Sequence, residues 1–418
     1  MKKTYQFNYG KEQICLEIEE SRVVDVVRPR QIKAVDDPDA EFQRALREPI
    51  GSPGLSSIVR KGEKVAVIAS DFTRPSPNRM VAHLVEEIEN AGVKSSDISI
   101  VFAGGLHRLM TVDEERRIIG EDIHERYRVI QHDPRDSQSH INLGKTSFGT
   151  PIEVNRFVYS CDRIVCSGFI EPSYLAGFTG GRKSILPGLA SERAITINHR
   201  RLLEPGTRIG RLEGNTLHQD MEEFAERVGI DFILNQVVND QDEMVMAVAG
   251  DFKKAHRVGV EKSREIYEIQ LPREVDIVIT NPGGYPYDVD LVQAKKAIIP
   301  AQEVVREGGV IILIAQCCEG WGAEKPFRDW IKRLSPQEIY QKIKTDFVVG
   351  GHGAYLSVRP IIEKKAHLIY VTSLFEDFEN TFIRATNNIE EAIEIAESIV
   401  GRDSRVCLLH GARRLIPK

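Results

Sequence analysis

Several familiar chemistries are absent from this sequence. Its six cysteines, at positions 15, 161, 166, 317, 318 and 407, include no Cys-x-x-Cys pair, which excludes a zinc ribbon and a thioredoxin-type redox motif. The adjacent Cys317-Cys318 closes an apolar strand-like run and reads as core filler rather than a ligand pair. No hydrophobic run approaches the roughly 18 residues of a membrane span. The opening Met-Lys-Lys-Thr-Tyr passes straight into a strand pattern without the apolar centre of a signal peptide, so a cytoplasmic protein is expected. Positive charge is not in excess: 56 Lys and Arg stand against 62 Asp and Glu, a net charge of −6. That balance gives no general attraction to nucleic acid or to an anionic membrane, and any basic chemistry must be local. Neither Gly-x-x-x-x-Gly-Lys-Ser/Thr nor Gly-x-Gly-x-x-Gly occurs, and there is no internal repeat or low-complexity segment.

What remains is an ordinary globular composition, 41% hydrophobic and 28% charged over 418 residues, long enough for two or three domains. Residues 4–19 alternate as a hairpin about Gly10-Lys11, and 35–48 hold a short acidic helix. Strands are expected at 64–70, 98–102, near 127–131 and at 163–167, with helices at 80–91 and from 112. Helices at 219–228 and 252–267 flank strands at 232–237 and 245–248, and Leu271-Pro272-Arg273 reads as a hinge. Beyond it a second βα series runs through strands at 275–280, 310–315, 346–349, 367–371 and 405–409, with helices from 289 and at 336–344, 354–364 and 388–400. The fold class is therefore α/β. Two domains are expected, each with a mainly parallel sheet flanked by helices and with the active-site cleft between them. The expected boundaries are 1–270, joined by the tail 406–418, and a Rossmann-like 273–405.

In open α/β sheets ligands bind beyond the carboxyl ends of the strands, so strand exits are the places to search. The strand at 64–70 exits into Asp71-Phe72-Thr73-Arg74-Pro75, and that at 98–102 into Gly104-Gly105-Leu106-His107-Arg108. Individually, Asp71 could cap a turn, Arg74 could pair with it and His107 could be an ordinary loop residue. Together they point to one cleft. In the second half, Gln293 and Lys296 are three apart and share a helix face.

The stretch 164–199, IVCSGFIEPSYLAGFTGGRKSILPGLASERAITINH, organises the first half. A strand ends at Gly168, and a loop with Gly177, Gly180, Gly181 and the pair Arg182-Lys183 follows. Ser191 then N-caps a helix whose last turn carries His199. The loop reads either as a backbone cradle for a phosphate-bearing ligand, with a lysine and a histidine nearby, or as a glycine-rich surface loop with a solvated lysine.

The runs DFTRP (71–75), GGLHR (104–108), EPSYLAGFTGGRKSILPG (171–188), His199 and QAKK (293–296) resemble, in order and over most of the chain, the lactate racemase family that uses a nickel-pincer nucleotide. The resemblance implies a cofactor, Ni(II)-pyridinium-3,5-bisthiocarboxylate mononucleotide, joined covalently to Lys183 with its nickel on His199. It implies cofactor contacts from Asp71, Phe72, Thr73, Arg74, Gly180 and Gly181. It implies substrate contacts from Gln293, Lys296, Ser173 and Tyr174, and catalytic roles for His107, Arg74 and Lys296. His107 would take the hydroxyl proton of a 2-hydroxy acid while its C2 hydride passes to the pyridinium, and Arg74 and Lys296 would hold the carboxylate. The expected partners are a small-molecule 2-hydroxy acid and the proteins that make the cofactor, with neither nucleic acid nor membrane; a homodimer is left open.

Three departures stand out. Ser173 occupies the place of the family's second catalytic histidine, and an unassisted serine hydroxyl is a poor base near neutral pH. Val292 replaces a tyrosine, and Phe72 a common histidine. These changes suggest a substrate other than lactate, or larger. The leading expectation is a racemase or epimerase of a 2-hydroxy acid. A transhydrogenase working on the His107 face alone is the alternative, and a non-catalytic cofactor carrier is the third reading.

Overall fold

The structure is a computed structural model that describes residues 1–74 and 79–418. Pro75, the last residue of the DFTRP run, lies outside the described residues. The chain forms two compact units, one of residues 31–266 and one of residues 1–30 together with 267–418.

The 31–266 unit is built on a six-stranded sheet in the order Met244–Gly250, Phe232–Val238, Arg163–Phe169, Val65–Ala69, Ile98–Phe102, Arg128–Gln131. The last five run parallel, and Met244–Gly250 pairs antiparallel at the edge. Every residue of Val65–Ala69 and Ile98–Phe102 is buried, as a continuous apolar run requires when both sheet faces are covered. Helix Met80–Asn90 buries Met80, Val81, Leu84, Val85 and Ile88, one face at helical spacing, against the sheet core. Because these five strands are parallel, the segments leaving Ala69, Phe102, Gln131 and Phe169 emerge at the same end of the sheet.

The other unit carries a wholly parallel sheet in the order Arg384–Thr386, His367–Val371, Val305–Ile314, Val275–Thr280, Val406–Leu409, Val23–Val27. The chain winds outward from Val275–Thr280 in one direction and returns on its other side, the doubly wound pattern expected from the sequence. The hairpin Lys2–Tyr9 and Glu12–Glu19 lays Tyr5, Phe7, Leu16 and Ile18 into this unit's core beside Ile277 and Ile279.

Three sequence expectations are corrected here. The N-terminal 30 residues and the tail 406–418 both belong with the C-terminal sheet, because Val23–Val27 pairs with Val406–Leu409 and that strand pairs with Val275–Thr280. No strand forms at 346–349, where the chain turns into helix Gly351–Lys364. Of the cysteine pair only Cys317 is buried, and Cys318 is exposed. No helix among the described residues is long and apolar enough to cross a membrane.

Candidate active site

At the common strand end of the 31–266 unit, two adjacent exits interlock. Asp71 Oδ2 lies 2.5 Å from His107 Nδ1, while Asp71 Oδ1 accepts hydrogen bonds from Thr73 N (3.1 Å) and Thr73 Oγ1 (2.6 Å). Asp71 thus caps its own turn and also holds the histidine; Thr73 serves the aspartate. Burial by itself would raise the Asp71 carboxyl, but the charge and hydrogen bond of His107, then Thr73 and Arg74, outweigh it and hold the group below the ordinary carboxylate range. The carboxylate fixes Nδ1 of His107 as the protonated nitrogen and leaves the Nε2 lone pair available as a base. His107 itself is partly open to solvent, with a side chain 44% exposed.

The next residue of each exit pairs as well. Arg108 stacks its guanidinium over the Phe72 ring, 4.1 Å from the centroid, and grips both oxygens of Glu114 at 2.6 and 2.7 Å. Glu114 also closes the capping box of helix Val112–Ile119, and the Arg108 hydrogen bonds draw its pKa down to about 2 despite partial burial. Phe72 is therefore a platform for Arg108. On the far side, the Gln131 amide brackets Met110, accepting from its N–H at 2.6 Å and donating to its carbonyl at 2.9 Å. A small cleft runs between Asp71, His107, Arg108, Gln131 and His132. The buried His132 binds Ala190 O through Nε2 (3.1 Å) and the Asn155 amide through Nδ1 (3.1 Å).

The glycine loop packs against these exits. Gly105 N–H donates to Gly188 O at 3.2 Å. A Cβ on Gly188 would stand 2.3 Å from Ser184 O and 2.8 Å from the Ala103 Cβ, so the approach of the two loops needs glycine there. Part of the loop's backbone is already engaged within the protein. Gly181 N–H donates to Asn235 Oδ1 at 2.8 Å, and Gly180, at φ +81°, has space for a Cβ only by meeting Ile170 and Asn235 below 3 Å. These glycines serve close packing within the protein. The start of helix Glu192–His199 is likewise occupied: Ser191 Oγ accepts from Ala194 N, as the capping pattern predicts, and donates to Glu153 at 2.6 Å.

Lys183 lies half-buried in the single turn Gly181–Ser184, and His199 is buried as the last residue of its helix. Helix Thr216–Val228 packs against both the Lys183 turn and the His199 helix. Its Asp220, fully buried, accepts from Thr146 Oγ1 (2.7 Å), Thr150 Oγ1 (2.6 Å) and Asn198 Nδ2 (2.8 Å), with Arg201 Nε at 3.5 Å. That carboxylate holds residues on either side of His199, and nothing in the sequence pattern marked it. Arg74 Nη1 bonds Glu171 Oε1 at 3.2 Å, so its carboxylate partner within the protein is Glu171 and not Asp71. Ser173 Oγ accepts from Ala176 N at 3.3 Å in the turn between Pro172–Ser173 and Gly177–Phe178; Tyr174, at that turn, is half-buried.

Gln293 and Lys296 belong to the other unit. The helix expected from 289 is there a short helix Leu291–Ala294, capped by Asp290, followed by the turn Lys295–Ala297 and helix Ile298–Val304. The shared face survives this break, since Lys296 Nζ donates to Gln293 Oε1.

A family model described as the lactate racemase N-terminal domain matches residues 9–210, and one described as the lactate racemase C-terminal domain matches residues 271–412. The chain is 34% identical over 406 residues to a lactate racemase of Thermoanaerobacterium thermosaccharolyticum, covering 95% of each. It is 30% identical over 386 residues to a lactate racemase of Lactiplantibacillus plantarum, covering 90% of each. The solved lactate racemase apoprotein from T. thermosaccharolyticum superposes over the full length of both chains with a TM-score of 0.91. A crystal structure of a Thermotoga maritima protein, at 19% identity and a TM-score of 0.70, shares the fold. With both domain models matched in order and relatives covered nearly end to end, this chain belongs to the lactate racemase family.

Proposed function

We propose that this protein is a racemase or epimerase of a 2-hydroxy acid that works with the nickel-pincer nucleotide. The donor set fits that group: Lys183 offers a primary amine for covalent attachment and His199 an imidazole suited to nickel. Their segments pack on one helix of the same unit. When bound, the cofactor supplies a reversible acceptor for the C2 hydride.

The rest falls to side chains. His107, with Nδ1–H directed at Asp71, uses Nε2 to take the substrate hydroxyl proton and to return it. Asp71 holds the ring and stabilises the imidazolium that forms, a division of labour familiar from Asp–His pairs elsewhere. Arg74 has five N–H donors and gives Nη1 to Glu171, so the remainder of its fork suits a substrate carboxylate. Gln293 and Lys296 are the second carboxylate-binding pair, with Gln293 steering the ammonium. The observation that carries this reading is the 2.5 Å contact between a buried carboxylate and a partly exposed imidazole at the mouth of a cleft.

Ser173 favours a second reading. Its hydroxyl serves the local turn, which leaves proton handling on one face to His107 and suits a transhydrogenase that moves hydride from one hydroxy acid to another's keto form. A C2-deuterated hydroxy acid, given to loaded protein with a different keto acid, separates the two. Racemisation keeps deuterium on the original carbon skeleton, and transhydrogenation delivers it to the added acid. Lys183→Ala should lose the covalent adduct in intact-mass measurement; an unchanged adduct would move the attachment elsewhere.

A further inference from the structure

The residue before Lys183 is among the most deeply buried side chains of the protein. Arg182 is 1% exposed, and its acceptors are main-chain carbonyls rather than a carboxylate. Nη2 donates to Ala176 O (2.7 Å) and Phe178 O (2.9 Å), and Nη1 to Gly180 O (3.3 Å). His256, also buried, places Nε2 2.8 Å from Nη1 and 2.8 Å from Thr179 O. Placing a cation where water cannot reach it is costly, and a bare surface loop would have no use for it.

The pattern of carbonyls explains its presence. Residues 176, 178 and 180 lie in a tight loop, with Gly177 at φ +73° and Gly180 at φ +81°, that turns their three carbonyl oxygens toward one guanidinium. Of the intervening residues, Thr179 gives its N–H to Glu171 O (2.8 Å) and its carbonyl to His256, while Gly177 O accepts from Gly210 N–H (3.0 Å). The guanidinium therefore closes a loop in which the carbonyls of 176, 178 and 180 all accept from it. It does so from the residue adjacent to Lys183, inside the same single turn.

We propose that Arg182 is a positioning residue: its guanidinium, caged by the carbonyls of 176, 178 and 180, fixes the turn 181–184 and so holds the half-buried Lys183 at a set angle. This deepens the reading of Lys183 as the attachment point and rests on it for its purpose. Lysine cannot take the role, because three spaced carbonyls match a planar fork and not a compact ammonium.

The test needs no cofactor. Apoprotein is acetylated with a water-soluble N-hydroxysuccinimide ester, and modification at Lys183 is followed by peptide mass mapping against exposed Lys61 as internal reference. In Arg182→Met and Arg182→Lys alike, the Lys183-to-Lys61 rate ratio should rise about tenfold, with the Lys61 rate and circular dichroism unchanged. General loosening would move both lysines together. A ratio within twofold of wild type in either folded variant overturns the proposal. Should neither variant fold, 15N-arginine spectra of the wild type decide: separately resolved, slowly exchanging Nη protons for Arg182 support the cage, and one averaged signal overturns it. Loaded protein carrying its adduct at another residue would sink the attachment reading while leaving the rate ratio, and so the positioning role, intact.

Discussion

Acidification should strip stability from the cleft through one side chain, His132. With Nε2–H donating to Ala190 O, Nδ1 must accept from the Asn155 amide. Asn155 cannot turn over to suit an imidazolium, because its Oδ1 already accepts from Val158 N at 3.0 Å. Burial pushes the His132 pKa down to about 4, with His140 adding to the shift and Ala190 O and Asp133 opposing it. Unfolded histidine titrates near 6.5, so between pH 6.5 and 4 the unfolded chain binds the proton that the folded chain refuses. The stabilisation is therefore complete above pH 6.5, falls as pH drops to 4 and is level below. A shift of this size corresponds to about 3 kcal/mol. Urea unfolding of wild type and His132→Gln at half-unit steps from pH 4 to 8 isolates the effect. Gln keeps a donor for Ala190 O, and the other buried histidines, such as His352 and His410 with pKa values lowered by burial to about 4, cancel in the difference. The difference curve should be flat above pH 6.5 and move by about 3 kcal/mol against the wild type between 6.5 and 4. A curve flat throughout would refute the locked neutral imidazole.

Asp71→Asn should turn an amide donor toward His107 Nδ1, enforce the wrong tautomer and lower kcat per loaded enzyme by about 10²–10⁴-fold; a loss under threefold would remove Asp71 from the mechanism. Asp220→Ala should strand two threonine hydroxyls, the Asn198 amide and Arg201 in a buried site, costing about 3–5 kcal/mol and on the order of 10 °C in Tm. A change below 2 °C would contradict that network. Gly188→Ala should cost about 1–3 kcal/mol by forcing the 103–105 and 184–188 loops apart, read as a lowered Tm, and a neutral effect would mean the loops yield freely.

The strands at 98–102, 275–280 and 367–371 were legible to the residue, because a β-branched run covered on both faces carries its own signature. So were the Ser191 cap and the shared face of Gln293 and Lys296, which depend on spacing alone. The exits after Ala69 and Phe102 meet at one small cleft, since strand exits in a parallel sheet have only one end to occupy. Partnership was not legible. Val23–Val27 has the β-branched composition of a strand, but nothing local names its partner, Val406–Leu409, nearly four hundred residues away. The same limit applies to side chains. Aspartate 71 could have served Arg74 or His107, and only the register of Val65–Ala69 beside Ile98–Phe102 assigned it to the histidine while Glu171 took the arginine. Arg182 and Asp220 show the cause most plainly. A buried charge is specified by what surrounds it in three dimensions, and no local pattern of residues encodes that enclosure.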